Sequence, residues 1–145
     1  MQNKIERNRA LAREYTEKVF NAHNPTLAEK YCTPDVKWHG GTLGTVEGIK
    51  GLTELLVGFL SALPDLHATE YDIAAEGNTV VIRFVVEATH KGNLLGIPAT
   101  GKKVRWDAVD VYHFNDDGKI VEEWAADDIG AIMHQVGAIK LPYLQ

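Results

Sequence analysis

Two carboxylic acids, Asp110 and Glu123, lie on facing arms of one hairpin in the run THKGNLLGIPATGKKVRWDAVDVYHFNDDGKIVEEW, Thr89 to Trp124. On the first arm Val104, Trp106, Ala108, Tyr112 and Phe114 alternate as an apolar face, and Asp110 stands alone among them. A carboxylate on a buried face is costly, so two on one face ask for a reason. The turn at Asn115-Asp116-Asp117-Gly118 closes in one of two ways. A four-residue loop sets Asp110 opposite Glu123, whereas a two-residue Asp-Gly turn sets Tyr112 opposite Glu123 and Asp110 opposite Ala125. In both registers the acids share a face, with Cβ atoms roughly 4.5–5.5 Å apart if directly opposite and about 7–8 Å apart if diagonal. Mutual repulsion, with desolvation by Trp106, Phe84 and Tyr112, raises a carboxyl pKa toward the range where it can hold and return a proton near neutrality. Asp110 and Glu123 are therefore the candidate catalytic pair. The competing reading satisfies each acid singly, with solvent at the mouth of the sheet, with Arg83 or Arg105, or with a backbone amide.

Other groups have supporting roles. His90 continues the inward phase of the preceding strand and is a candidate proton partner, although a satisfied rim histidine is the commoner case. Trp38, Phe84, Trp106 and Tyr112 are ordinary core aromatics by default; around a cavity they become its apolar walls, with the Tyr112 hydroxyl as a polar handle. These residues, with His90, are the candidate substrate-binding set. Ser61 is the only serine and sits inside an apolar helical run, not in a G-x-S-x-G elbow. The histidines, His23, His39, His67, His90, His113 and His134, form neither H-x-H nor H-E-x-x-H, so no metal site is expected. Cys32, the single cysteine, cannot form an internal disulfide and reads as a small apolar filler in a reducing compartment.

The elements that position these residues follow from period. Leu11, Tyr15, Val19 and Ala22 mark a first helix over residues 5–22, ended by Asn24-Pro25. Pro25 opens a short second helix with Leu27, Ala28 and Tyr31, Val36 to His39 read as a short strand, and GGTLGTVEG reads as a loop. Leu52, Leu55, Leu56, Phe59, Leu60 and Leu63 define a third helix that Pro64-Asp65 stops. Beyond Leu66 the period is two, with three or four strands divided by turns at Glu76-Gly77-Asn78, residues 92–101 and Asn115 to Gly118. In the strand from Thr79, Val80, Ile82, Phe84, Val86 and Ala88 face inward. The last strand is apolar on both faces, which leaves its inward side open and suggests a partner subunit. A helix over Ile129 to Gln135 follows. Helices first and an antiparallel sheet after them make an α+β protein.

At 145 residues the chain is long enough for one domain, 1–145, and one cavity. Net charge is -5, with cations scattered among acids, and this carries no footprint for nucleic acid. The charged start MQNKIERNRALAREY and the lack of a long apolar run give no signal or membrane segment, and a cytoplasmic protein is expected.

Several segments together resemble the SnoaL-like polyketide cyclase and ester cyclase family, in the nuclear transport factor two-like, cystatin-like superfamily. They are Tyr31-Cys32-Thr33-Pro34-Asp35, Leu63-Pro64-Asp65-Leu66, Thr89-His90-Lys91-Gly92, Leu95 to Gly101, Asp117 to Trp124, and Asp128 to Gly137 with Gln135. The resemblance implies a cone of curved antiparallel sheet closed by the N-terminal helices around one pocket, in a homodimer or higher homo-oligomer. It also implies cofactor-free acid/base chemistry on a small organic ligand. Cyclases of the family carry an aspartate acid/base at the position after Trp124, which here is Ala125, and a family cavity histidine matches Asp110. The acid/base role has then moved to Asp110 or Glu123, or the protein does something other than aldol cyclisation. The expected function is thus a cyclase, isomerase, hydratase or epoxide hydrolase acting on a neutral apolar substrate, with a non-catalytic ligand-binding protein as the alternative. Asp128 falls where a helix begins and reads as its N-cap.

Overall fold

A computed structural model describes residues 2–144. Helix α1 (Gln2–Tyr15) runs into a π-helical turn, Thr16–Asn21, and together they bury Ala12, Tyr15 and Val19 completely. After a 3-10 turn at Pro25–Leu27 comes α2 (Ala28–Tyr31). Strand β1 (Cys32–His39) starts four residues before the expected Val36. Its early part is irregular, with a register shift between Cys32 and Lys37, and Pro34 lies in that stretch, where its missing N–H disturbs the ladder least. The glycine-rich segment expected as a loop contains a 3-10 turn, Gly41–Leu43, and a short strand β2 (Thr45–Glu47) antiparallel to β1. Helix α3 (Ile49–Ala62) buries Leu52, Leu56 and Leu60, whose i, i+4 spacing keeps them on one stripe. Four long strands follow, β3 (His67–Glu76), β4 (Thr79–Thr89), β5 (Lys103–Phe114) and β6 (Ile120–Asp127), and then α4 (Ile129–Gln135).

The strands form one sheet in the order β2-β1-β6-β5-β4-β3, antiparallel except at β1–β6, where the pairing is parallel. The sheet does not close on itself. Helix α1 packs on β3 and β4 and α3 on β1, so the helices cover the cone's inner face. That face carries Val80, Ile82, Phe84, Val86 and Ala88 of β4 and Val104, Trp106, Ala108, Tyr112 and Phe114 of β5, all buried as their alternation requires.

The β5–β6 register puts Tyr112 opposite Glu123 and Asp110 opposite Ala125. The two-residue turn is not what produces it. Phe114 pairs with Ile120 around a loop closed by Asn115, whose carboxamide oxygen accepts from the Asp117 and Lys119 amides, and the register then slips by one between Phe114 and His113. Val121 is the extra residue of that slip. The loop docks on α1 through Gly118, whose φ of 80° excludes most side chains and whose added Cβ would lie 3.1 Å from Leu11 and Arg7.

Beyond Asp127, β6 no longer covers β5, and the side chain of Gln135 takes its place. Its amide nitrogen donates to the Arg105 carbonyl at 2.7 Å and its oxygen accepts from the Arg105 N–H at 2.8 Å. Asp128 caps α4 by accepting from the Ala131 N–H at 3.0 Å, the role its position suggests.

Candidate active site

Between helices and sheet lies a cavity of about 70 Å³, enough for a few water molecules or a small ligand group. The π-helical turn contributes Thr16 and Phe20; helix α3 adds Leu55, Leu56 and Phe59; Trp38, Phe84, Trp106 and Ala108 line the sheet side. Three acids, Asp110, Glu123 and Asp127, complete the wall together with Ala125.

The period of the strands brings the acids together. Glu123, Ala125 and Asp127 are alternate residues of β6 and therefore share a face. Ala125 sits opposite Asp110, so Glu123 and Asp127 flank Asp110 on the two diagonals, at about 7–8 Å. Each acid has a different environment. The indole N–H of Trp106 donates to Asp127 at 2.7 Å, and the Tyr112 hydroxyl donates to Asp110 at 3.1 Å. Glu123 is 1 % exposed, and no hydrogen bond reaches its carboxyl among the described residues.

Electrostatics follow. Burial pushes the Glu123 carboxyl well above the usual carboxylate range, and the charges of Asp110 and Asp127 push the same way. Asp110 is raised well above that range by burial and then by Asp127, with the Tyr112 hydrogen bond pulling it back. Asp127 is raised by burial and held down by the Trp106 indole. Beneath them Tyr15 is fully buried, edge-on to Tyr112 at 6.1 Å, and its hydroxyl lies beside the Cys32 thiol without a well-formed hydrogen bond. Burial pushes that thiol up to about 12, so Cys32 is not a nucleophile.

Asp110, Glu123, Trp38, Phe84 and Trp106 thus stand around one cavity. Tyr112 is fully buried behind the wall and reaches the site through its bond to Asp110. His90 faces inward and is fully buried, but it is not among the residues that line the cavity. Its Nε2 meets the Ile97 carbonyl at 3.2 Å, an acceptor only, so that nitrogen carries a proton, while Nδ1 meets the Thr100 hydroxyl at 2.9 Å. Both nitrogens tie down the segment between β4 and β5. Asp127 is the residue that sequence reasoning missed, although it lies two positions past Ala125, in phase with Glu123. No group of three or more His, Cys, Asp or Glu residues among those described is arranged to hold a metal ion, and no helix among them is long and apolar enough to cross a membrane.

An open cone-like sheet covered by N-terminal helices over an acid-bearing cavity defines the nuclear transport factor two-like fold. The chain belongs to the SnoaL-like polyketide cyclase family, whose model matches residues 10–136. Among solved structures it is similar to AclR of Streptomyces galilaeus, a candidate hydroxylase, at 29% identity over 94% of this chain and 99% of that one, with a TM-score of 0.83. IdmH of Streptomyces antibioticus, a candidate polyketide cyclase, aligns at 25% identity over 90% and 98% with a TM-score of 0.76. A candidate SnoaL-like polyketide cyclase from Jannaschia sp. CCS1 shares the fold, with 20% identity over 93% and 94% and a TM-score of 0.86. No curated protein matches the sequence significantly.

Proposed function

We propose that the cavity is a cofactor-independent proton-transfer site for a small, largely apolar organic molecule, of the cyclase, isomerase or hydrolase kind. The observation that carries this reading is the unequal treatment of the three acids. Trp106 supports the anion of Asp127, whereas no group among the described residues donates to Glu123. Acids whose environments push their pKa values apart divide into base and acid. Asp127 is then the base that takes a proton from carbon or water. Glu123 and Asp110 are the acids that donate to a substrate oxygen as negative charge builds there, and the proton on Asp127 returns at a second atom or to solvent. Trp38, Phe84 and Trp106 hold the apolar part of the substrate and limit water. The similarity to proteins named as a hydroxylase and a polyketide cyclase supports an enzyme of this pocket class.

A second reading, a carrier or sequestering protein for a small ligand, is favoured by Ala125, which stands where the family resemblance calls for an acid. Exchange of α-hydrogens of a cyclic ketone such as 2-tetralone in deuterated water, followed by NMR, separates the two. The enzyme accelerates exchange, and Asp127→Asn and Asp110→Asn, shown to be folded, each lower the rate by about 10²- to 10⁴-fold. No acceleration, together with a co-purified ligand recovered unchanged after incubation, establishes the carrier.

A homodimer belongs to the same proposal. Its support is the outer sheet face, where Val109 is 37% exposed beside the exposed Ala126, and sedimentation of the purified protein reads it directly.

A further inference from the structure

Among the described residues the cavity wall holds three carboxylic acids and no Lys, Arg or His. The groups that act on the three acids are buried surroundings, one another, Tyr112 and Trp106, and no cation is among them. Arg13, beside an adjoining depression that shares Thr16, Ala68 and Phe84 with the cavity, is already engaged by Glu70 at 2.8–3.2 Å. Elsewhere on the chain acids do have cations, as at Arg83 with Asp72 and Arg105 with Glu87. In the cavity the three carboxyls have none among the described residues. Glu123 is the sharpest case: it lines the cavity, is 1 % exposed and receives no hydrogen bond among the described residues.

Aromatic side chains share the wall with the acids: Trp38, Phe84 and Trp106 stand beside them on the sheet, and Phe20 and Phe59 come from the helical side. Aromatic faces attract cations, most strongly where water is excluded. A buried carboxyl kept neutral for want of a partner can ionise when a counter-ion enters with the ligand. The acids are spread over diagonal positions and are not arranged to chelate a metal ion. The complementary cation is therefore larger and partly apolar. We propose that the ligand of this cavity is a small organic amine, bound as its ammonium form against the acids of β5 and β6 and among the aromatic side chains that line the cavity with them.

This inference rests on the acid-lined cavity being the working site, and it replaces the neutral substrate expected from sequence with a cationic one. An anionic ligand finds no counter-charge in the described wall.

The test is isothermal titration of the intact protein with three probes of one shape, benzylamine, benzyl alcohol and benzoate, at neutral pH in two buffers of different ionisation enthalpy. Benzylamine binds about tenfold or more tighter than benzyl alcohol, and benzoate does not bind. Because the incoming charge lowers the pKa of protonated neighbours, amine binding releases a proton to buffer and its heat depends on the buffer; alcohol binding does neither. Asp127→Asn and Glu123→Gln, tested separately so that one folded variant suffices, each weaken the amine about tenfold more than they weaken the alcohol. Benzylamine binding no tighter than benzyl alcohol, or binding of neither, overturns the proposal. Since only binding is read, the proton-transfer reading survives that result if ketone exchange is still accelerated, and it falls alone if the amine binds and exchange is not.

Discussion

Asp110 faces Ala125 directly across β5 and β6, and the two acids on either side of that alanine, Glu123 and Asp127, reach Asp110 only along the diagonals. A site that the family resemblance would fill with one carboxylate is here surrounded by three. The spacing keeps the acids close enough to repel and far enough apart for each to keep its own environment, an indole for one, a phenol for another, apolar walls for the third.

Glu123 makes stability fall with rising pH. Its pKa is raised in the folded chain, so between the ordinary carboxylate range and the raised value the folded state binds more protons than the unfolded one, and stability declines as pH rises through that window. Glu123→Gln removes the effect. The variant is expected to match the wild type near pH 4.5 and to exceed it by about 1–3 kcal/mol toward pH 8 in urea denaturation. The lowered pKa of Asp65, which acts in the opposite direction, cancels in the comparison.

Trp106→Phe keeps the aromatic wall and deletes the donor to Asp127. Without it the Asp127 pKa moves further up, and the acidic limb of any pH–rate profile moves with it. The loss of a hydrogen bond to a charged group costs about 1.5–3 kcal/mol near neutral pH, and less at low pH where Asp127 is protonated.

Ala125→Asp restores the family acid and places a fourth carboxyl among three. The variant is expected to lose about 2 kcal/mol. Combined with Asp127→Ala it recovers part of the loss, a coupling that a double-mutant cycle by chemical denaturation measures.

Gly40→Ala attacks the pocket wall from outside. A Cβ at Gly40 would lie 2.2 Å from the Trp38 ring, at a φ of -118° that alanine adopts freely, so the effect is steric. Trp38 must swing, at a cost of about 1–3 kcal/mol, with weakened ligand binding and a shifted tryptophan emission as readouts.

Much of this arrangement was legible in the sequence, and the exceptions have physical causes. Alternation along β4 and β5 fixes the inner face, because a one-residue slip would turn Asp110 outward and expose Trp106. The register at β6 was open between two values. The observed one arises from a slip at Val121 that no turn rule anticipates, and the same slip lets Ile120 and Glu123, three apart, both be buried. Asp127 lies one residue past the apolar run that marks the strand in the sequence, although its phase with Glu123 is visible there. His90 shows the reverse: phase told correctly that it points inward, but only the loop carrying Ile97 and Thr100, folding back over it, shows that it is occupied. Thr16 and Phe20 line the cavity through a π-helical turn, and no periodic pattern announces such a turn.

The most direct measurement is a carbon-13 NMR titration of side-chain carboxyls in the ligand-free protein, with Asp110, Glu123 and Asp127 assigned by single Asn or Gln variants. Three unequal acids in one cavity predict that Asp127 ionises first of the three and that Glu123 keeps its proton well beyond the ordinary range of about 4. Titration of all three together near that ordinary value would contradict the proton-transfer site.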